Sequence, residues 1–258
     1  MKKASISCLI ASITLIFFSC KSDKKDILLA MNNVKMPNYE ELKSDIKSND
    51  TLKILIIGNS ITSHGIASEI GWNYKSGMAA SNSNKDFVHL LFYNFSKKYP
   101  EKSIILRYAN YSEFERQPSK INFEDEKIQE LYQFMPNYLI YQLGDNTVKS
   151  TEDKFSRASV RFIDGFSKSK KFIVSPFFMN FNNYKCSKSI SIDSKSTFID
   201  ISYISKDKKY SAIQDSSSFK REWKVEGIGA HPGNLGMYKI SDEIFKTIIK
   251  EDHKLASN

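Results

Sequence analysis

The sequence predicts an α/β protein, a doubly wound parallel sheet with helices on both faces in three layers. Three observations carry that expectation. Short apolar runs of strand length recur along the chain, segments with one apolar helical face separate them, and Gly58, Gly144 and Pro176 stop individual runs. At 258 residues and 41% hydrophobic, the chain is large and apolar enough to bury a core. That excludes a disordered chain, a disulfide miniprotein and a collagen-like repeat.

The elements follow in order. Leu52 to Ile57 is apolar except for Lys53, as suits a strand buried on both faces. Phe87, Leu90, Leu91 and Phe95 mark one face of a helix over 86–98. A second strand is expected over 103–108, a helix over 123–134 with an acidic start, and a third strand over 138–143. Ser150 and Asp153 form a capping-box-like pair ahead of Phe155, Ala158, Phe162, Ile163 and Phe166, an amphipathic helix. Strands over 172–175 and 198–201 follow, and Met237, Ile240, Ile244 and Ile248 mark a terminal helix. The stretch 180–196, rich in Asn, Ser and Lys, reads as an insertion loop over the carboxyl end of the sheet.

The N-terminus reads as an address. Met1-Lys2-Lys3 is a positive start, and Ala4 to Phe18 is uncharged, mostly apolar and too short to span a bilayer comfortably. Ser19-Cys20 at its end resembles a bacterial lipobox, although Phe17 stands where Leu is usual. The expected layout is a signal peptide over 1–19, a lipidated Cys20 with a polar tether over 20–50, one domain over 51–250 and a tail over 251–258. The expected location is the bacterial cell envelope, lipid-anchored at the outer membrane. Cys8 leaves with the signal, so Cys186 has no disulfide partner and no neighbour at zinc-ligand spacing; no metal or cofactor is expected. The net charge of +9 includes Lys2 and Lys3, and the remaining excess is scattered. It reads as a solvated exterior, and nucleic acid is set aside as a partner.

In a doubly wound sheet, functional groups gather after the carboxyl ends of strands. Three motifs stand there: Gly58-Asn59-Ser60-Ile61-Thr62, Gly144-Asp145-Asn146-Thr147 and Ala230-His231-Pro232-Gly233-Asn234. Each residue alone also fits a turn, a cap or a loop; their conjunction in this order points to nucleophilic catalysis.

That conjunction resembles the SGNH, or GDSL-type, hydrolase family, over roughly residues 50 to 250. The resemblance implies a flavodoxin-like three-layer fold and serine ester hydrolysis of acyl or acetyl groups on carbohydrate or related esters. It gives Ser60 the nucleophile's place, Asn146 and the Ser60 N–H the oxyanion, and His231 the general base. Two departures follow. The family's Asp, three residues before the His, is replaced by Ile228, and the second block, here Ala109 to Arg116, has no glycine. His231 therefore works in a Ser–His dyad or an atypical triad. Its second ring nitrogen is expected on a main-chain carbonyl of the Gly227–Ala230 loop, with Glu226 and Glu115 as alternative acids and Asn59 as a supporting residue. His64 is a rival base. Trp72, Tyr74 and Trp223 are candidates for stacking on sugar faces or for the core. The competing class is a non-catalytic, glycan-binding surface lipoprotein on the same scaffold, which the missing Asp favours.

Overall fold

The computed structural model describes residues 33–178, 180–218 and 223–256. The signal peptide and the lipid site at Cys20 lie outside the described residues. The described strands are β1 (Glu40–Lys43), β2 (Thr51–Gly58), β3 (Ser103–Asn110), β4 (Tyr138–Gln142), β5 (Lys170–Val174) and β6 (Thr197–Ile199). They form one sheet in the order β1-β3-β2-β4-β5-β6, all parallel except β1, which pairs antiparallel with β3 at the edge.

The layering follows from the pleat. Successive side chains of β2 point to opposite faces and both faces are covered, which is why Leu52 to Ile57 reads as a continuous apolar run. Leu52, Ile54 and Ile56 face α1 (Phe87–Lys98) and the long C-terminal helix α8 (Asn234–Ala256), which supplies Met237, Ile240, Ile244 and Ile248. A short helix, α6 (Ser202–Lys206), buries Ile204 in the same layer. Leu55 and Ile57 face the other layer, against α3 (Glu126–Phe134) and α4 (Glu152–Asp164). Alternating side chains of one strand thus hold two helical layers.

Four expectations change. Residues 181–193 form a helix, α5 (Phe181–Asp193), rather than an insertion loop. Asn180 and Asn183 close a reciprocal capping box, and the buried face includes Asn183, Ser187, Ile190 and Ser191. A face so polar gives little hydrophobic period. The helix α4 starts without the expected Ser150–Asp153 box: Ser150 lies in a preceding 3-10 turn and the N-cap Thr151 makes no side-chain cap. Part of the stretch read as tether packs on the domain, since Val34 and Met36 are buried beside Phe114 and Leu131 and Glu40–Lys43 is the edge strand. At the other end, α8 continues to Ala256, and its Asp252 accepts a hydrogen bond from the Tyr138 hydroxyl and one from Lys170 Nζ at 2.6 Å.

Candidate active site

Ser60 sits two residues beyond β2, in a turn held by Asn59. The Asn59 carbonyl accepts from the Thr62 and Ser63 N–H groups, and Asn59 Oδ1 accepts from the Ile61 N–H at 3.1 Å. Gly58 is required before it, because a Cβ there would collide with the Thr62 side chain and Gln142.

The second partner comes from far along the chain. A short helix, α7 (Glu226–Ala230), ends at His231, whose backbone carbonyl accepts from the Ala212 N–H at 2.8 Å. The ring reaches Ser60: Oγ and Nε2 are 3.1 Å apart. Its other nitrogen, Nδ1, is 2.8 Å from the Gly227 carbonyl oxygen. A carbonyl only accepts, so Nδ1 carries the proton and Nε2 presents its lone pair to the Ser60 hydroxyl. The half-buried ring packs edge-on against Phe178, with centroids 4.9 Å apart. Desolvation is the largest influence on it and lowers its pKa to about 4; the Gly227 carbonyl acts in the opposite sense, and His64 adds a smaller lowering.

Ile228 stands where the family pattern has its acid, and its surroundings are apolar. It is buried with Ala67, Trp72, Met78, Ala79 and Ala212. A carboxylate there would lack partners, so the backbone rather than a side chain orients the histidine.

Neither carboxylate expected as an alternative acid takes the place of the Gly227 carbonyl at Nδ1. Glu226 is exposed and lines a separate concavity of about 390 Å³ beside Phe178 and Ala230. Glu115, in α2 (Ser112–Arg116), is fully buried and bonded to the opposite side of the site. Its Oε2 accepts from Asn146 Nδ2 at 2.6 Å. Its Oε1 accepts from the Gly144 N–H, from the Asn146 N–H at 3.4 Å and from Asn59 Nδ2 at 3.3 Å. Gly144 reaches that position with φ of +134°, where a Cβ would strike Pro176 and Ser187. Asp145 completes the network, accepting from Asn59 Nδ2, Gln142 Nε2 and the Phe178 N–H. Burial raises the Glu115 pKa to about 7, the Asp145 charge adds to that, and the hydrogen bonds from Asn146, Gly144 and Asn59 oppose it. Burial likewise raises Asp145, against the bonds it accepts.

Ser60, His231 and Asn146 line one cavity of about 280 Å³, with Ser112, Arg116 and Phe178 at its walls. His64 also lines it, but its Nδ1 is bonded to the Gly65 carbonyl, and the Ser60 hydroxyl meets His231. Of the N–H groups after β3, Tyr111 bonds the Gly58 carbonyl and Ser112 bonds Asn110 Oδ1. Trp72 is fully buried and Trp223 packs against Gly229, so both belong to the core; Tyr74 is 39% exposed and stacks edge-on with Trp72. Among the described residues, no group of three His, Cys, Asp or Glu is placed to hold a metal ion. Phe178 and the supporting role of Asp145 carry no signal in the sequence, because only the loop after β5 brings the Phe178 N–H to Asp145.

Among solved structures, a two-domain esterase active on acetylated mannans, co-crystallised with mannopentaose, matches with a TM-score of 0.50 and 14% identity over 78% of this chain. This chain spans 50% of that protein's length. A family two carbohydrate esterase from Cellvibrio japonicus matches with a TM-score of 0.46 and 13% identity, covering 77% of this chain and 61% of that one. A Bacteroides uniformis protein described as a GDSL-like lipase gives 0.47 and 12% identity, covering 78% of this chain and 97% of that one. No protein-family model and no curated protein sequence matches. With a six-stranded sheet that is parallel except at the β1 edge and a helical layer on each face, the chain has an α/β fold that it shares with the esterase active on acetylated mannans.

Proposed function

We propose that this protein is a serine ester hydrolase that removes acyl groups, acetyl foremost, from carbohydrate or related esters, using a Ser60–His231 dyad. The observation that carries the reading is the 3.1 Å contact between Ser60 Oγ and an imidazole whose tautomer is fixed by the Gly227 carbonyl. The match to an esterase active on acetylated mannans supports the substrate class.

The chemistry follows from those groups. Ser60 Oγ attacks the ester carbonyl carbon while its proton passes to His231 Nε2. The carbonyl oxygen becomes an oxyanion, taken up by the Ser60 N–H and the Asn146 amide. The tetrahedral intermediate collapses, the C–O bond to the alcohol breaks, and the imidazolium returns its proton to the leaving oxygen. Water then attacks the acyl-Ser60 by the same route and releases the acid. With a carbonyl rather than a carboxylate at Nδ1, the imidazolium gains less stabilisation, so turnover is modest. Lipidation of Cys20 would hold the domain at the cell envelope, facing esters on surface glycans.

The test is acetate release from acetylated manno-oligosaccharides and from an aryl acetate. Release by the wild type and none by Ser60→Ala supports the enzyme. Binding of the oligosaccharide with no release of acetate by the wild type favours the non-catalytic glycan-binding protein instead.

A further inference from the structure

We infer that Glu115 is the positioning residue of the oxyanion site: with Arg116 it fixes the Asn146 amide so that one N–H faces the cavity. This inference rests on the hydrolase reading and adds to it a role for the buried carboxylate that does not touch the histidine.

The geometry distinguishes the two ends of the amide. Glu115 Oε2 takes a hydrogen from Asn146 Nδ2 at 2.6 Å, a short charge-assisted contact. On the other side, Arg116 Nη2 donates to Asn146 Oδ1 at 3.4 Å. A carboxylate only accepts and a guanidinium only donates, so the amide has one permitted orientation. One Nδ2 hydrogen is committed to Glu115. The other is left for the cavity that Asn146 lines together with Ser60 and His231. The same carboxylate also holds the Gly144 and Asn146 N–H groups and Asn59 Nδ2, which ties the turn after β4 to the nucleophile turn after β2.

Asn59 Nδ2, the Gly144 and Asn146 N–H groups and Asn146 Nδ2 all donate to Glu115, so an amide in its place cannot satisfy them all. In Glu115→Gln, if the new amide keeps its oxygen toward the Gly144 N–H, its nitrogen meets Asn146 Nδ2, donor against donor. Asn146 must then turn its Oδ1 toward the substituted side chain, and its Nδ2 rotates to the Arg116 side. The oxyanion loses its side-chain donor while the substrate pocket keeps its walls.

The experiment combines Glu115→Gln, Asn146→Ala and the double variant, with kinetics on an acetyl ester and 15N–1H spectra of the Asn146 side-chain amide, assigned by its loss in Asn146→Ala. The expectation for Glu115→Gln is a fall in kcat of about 10²–10³ with KM changed less than about threefold. Asn146→Ala should match it, and the double variant should lose no more than about threefold beyond the worse single, because both remove the same interaction. The Asn146 amide protons should shift in Glu115→Gln. Retained kcat, losses that multiply, or an unmoved Asn146 resonance each overturn the inference. If Glu115→Gln does not fold, Arg116→Met releases the exposed side of the same amide; it should lower kcat by about three- to tenfold at constant KM, and an unchanged kcat overturns the inference. A wild type without esterase activity sinks the hydrolase reading alone, and the amide shift then decides the placement of Asn146 on its own.

Discussion

The two halves of the site are built from opposite materials. The half around His231, the base half of the proposed mechanism, is apolar and uncharged: His231 leans on Phe178, takes its orientation from the Gly227 carbonyl, and has Ile228 turned into a cluster with Trp72 and Met78. The half around Asn146, the proposed oxyanion half, holds two acids, Glu115 and Asp145, bridged by Asn59 and surrounded by N–H donors. The ring nitrogens of the histidine meet Ser60 and a backbone carbonyl, while the two carboxylates on the other side hold N–H donors. The difference teaches that the acid expected beside His231 has to be judged with the whole site in view. In the proposed hydrolase, backbone orients the base at a cost in basicity, while side-chain charge serves the oxyanion side.

The comparison breaks most readily at the dyad. Ser60→Ala and His231→Ala should each lower kcat/KM on the order of 10⁴-fold or more with the fold intact by circular dichroism. A small loss in His231→Ala, with His64→Ala now severe, would move the base to the rival histidine.

Next is the pH profile, where the halves differ in sign and range. Lowered to about 4, His231 is neutral and able to accept a proton at any pH well above that value. Raised to about 7, Glu115 is a carboxylate only at higher pH, and on taking up a proton it presents a donor to Asn146. Asp145, which shares Asn59 with it, and Arg116, across Asn146, are the charged groups closest to this switch. The acid limb of kcat/KM should therefore fall about tenfold per pH unit below about 7, while Glu115→Gln should be low and flat from about 5 to 7. A wild-type limb near 4 would give the histidine sole control.

The base half can also be tested by restoring the acid. Ile228→Asp places a carboxylate among Ala67, Trp72 and Met78, so it should destabilise the protein by roughly 2–5 kcal/mol in denaturant unfolding and leave turnover no higher. A faster, equally stable variant would show a triad one substitution away. The smallest effect is expected at Glu226→Gln, less than about twofold in kcat/KM, since that exposed side chain lines the neighbouring concavity.

Much of this arrangement is legible in the sequence, and the gaps have physical causes. The strand cores and the faces of α1, α4 and α8 carry strong periods, and Ser60, Asn146 and His231 stand at strand or helix ends. The helix α5 escapes because its buried face includes Asn183, Ser187 and Ser191. Strand β1 escapes because it is four residues, Glu-Glu-Leu-Lys, whose Glu41 pairs with Arg107 of β3 at 2.7 Å. A Gly227 or neighbouring carbonyl as the histidine's partner follows from locality alone. The partners of Glu115 do not: Glu115-Arg116 fits a role in the site or a surface pair, and an acid for His231 is the expected role, whereas the folded chain sets Glu115 on Gly144 and Asn146 after β4.

At the N-terminus, outside the described residues, the expectation stays separate from the site. Cys20 should be the first residue of the mature protein and carry lipid, seen as a lipid-sized mass increment on the N-terminal peptide of membrane-purified protein. An unmodified Cys20 or a retained Met1 would contradict it.

Everything proposed for the site turns on whether the Ser60 hydroxyl is activated by a histidine held only by backbone. The most direct measurement is labelling of the intact protein with a fluorophosphonate, followed by peptide mapping. One adduct is expected, on Ser60, formed by the wild type and by Glu226→Gln, and absent from Ser60→Ala and His231→Ala. No adduct on the wild type, or an equally fast adduct on His231→Ala, would contradict it.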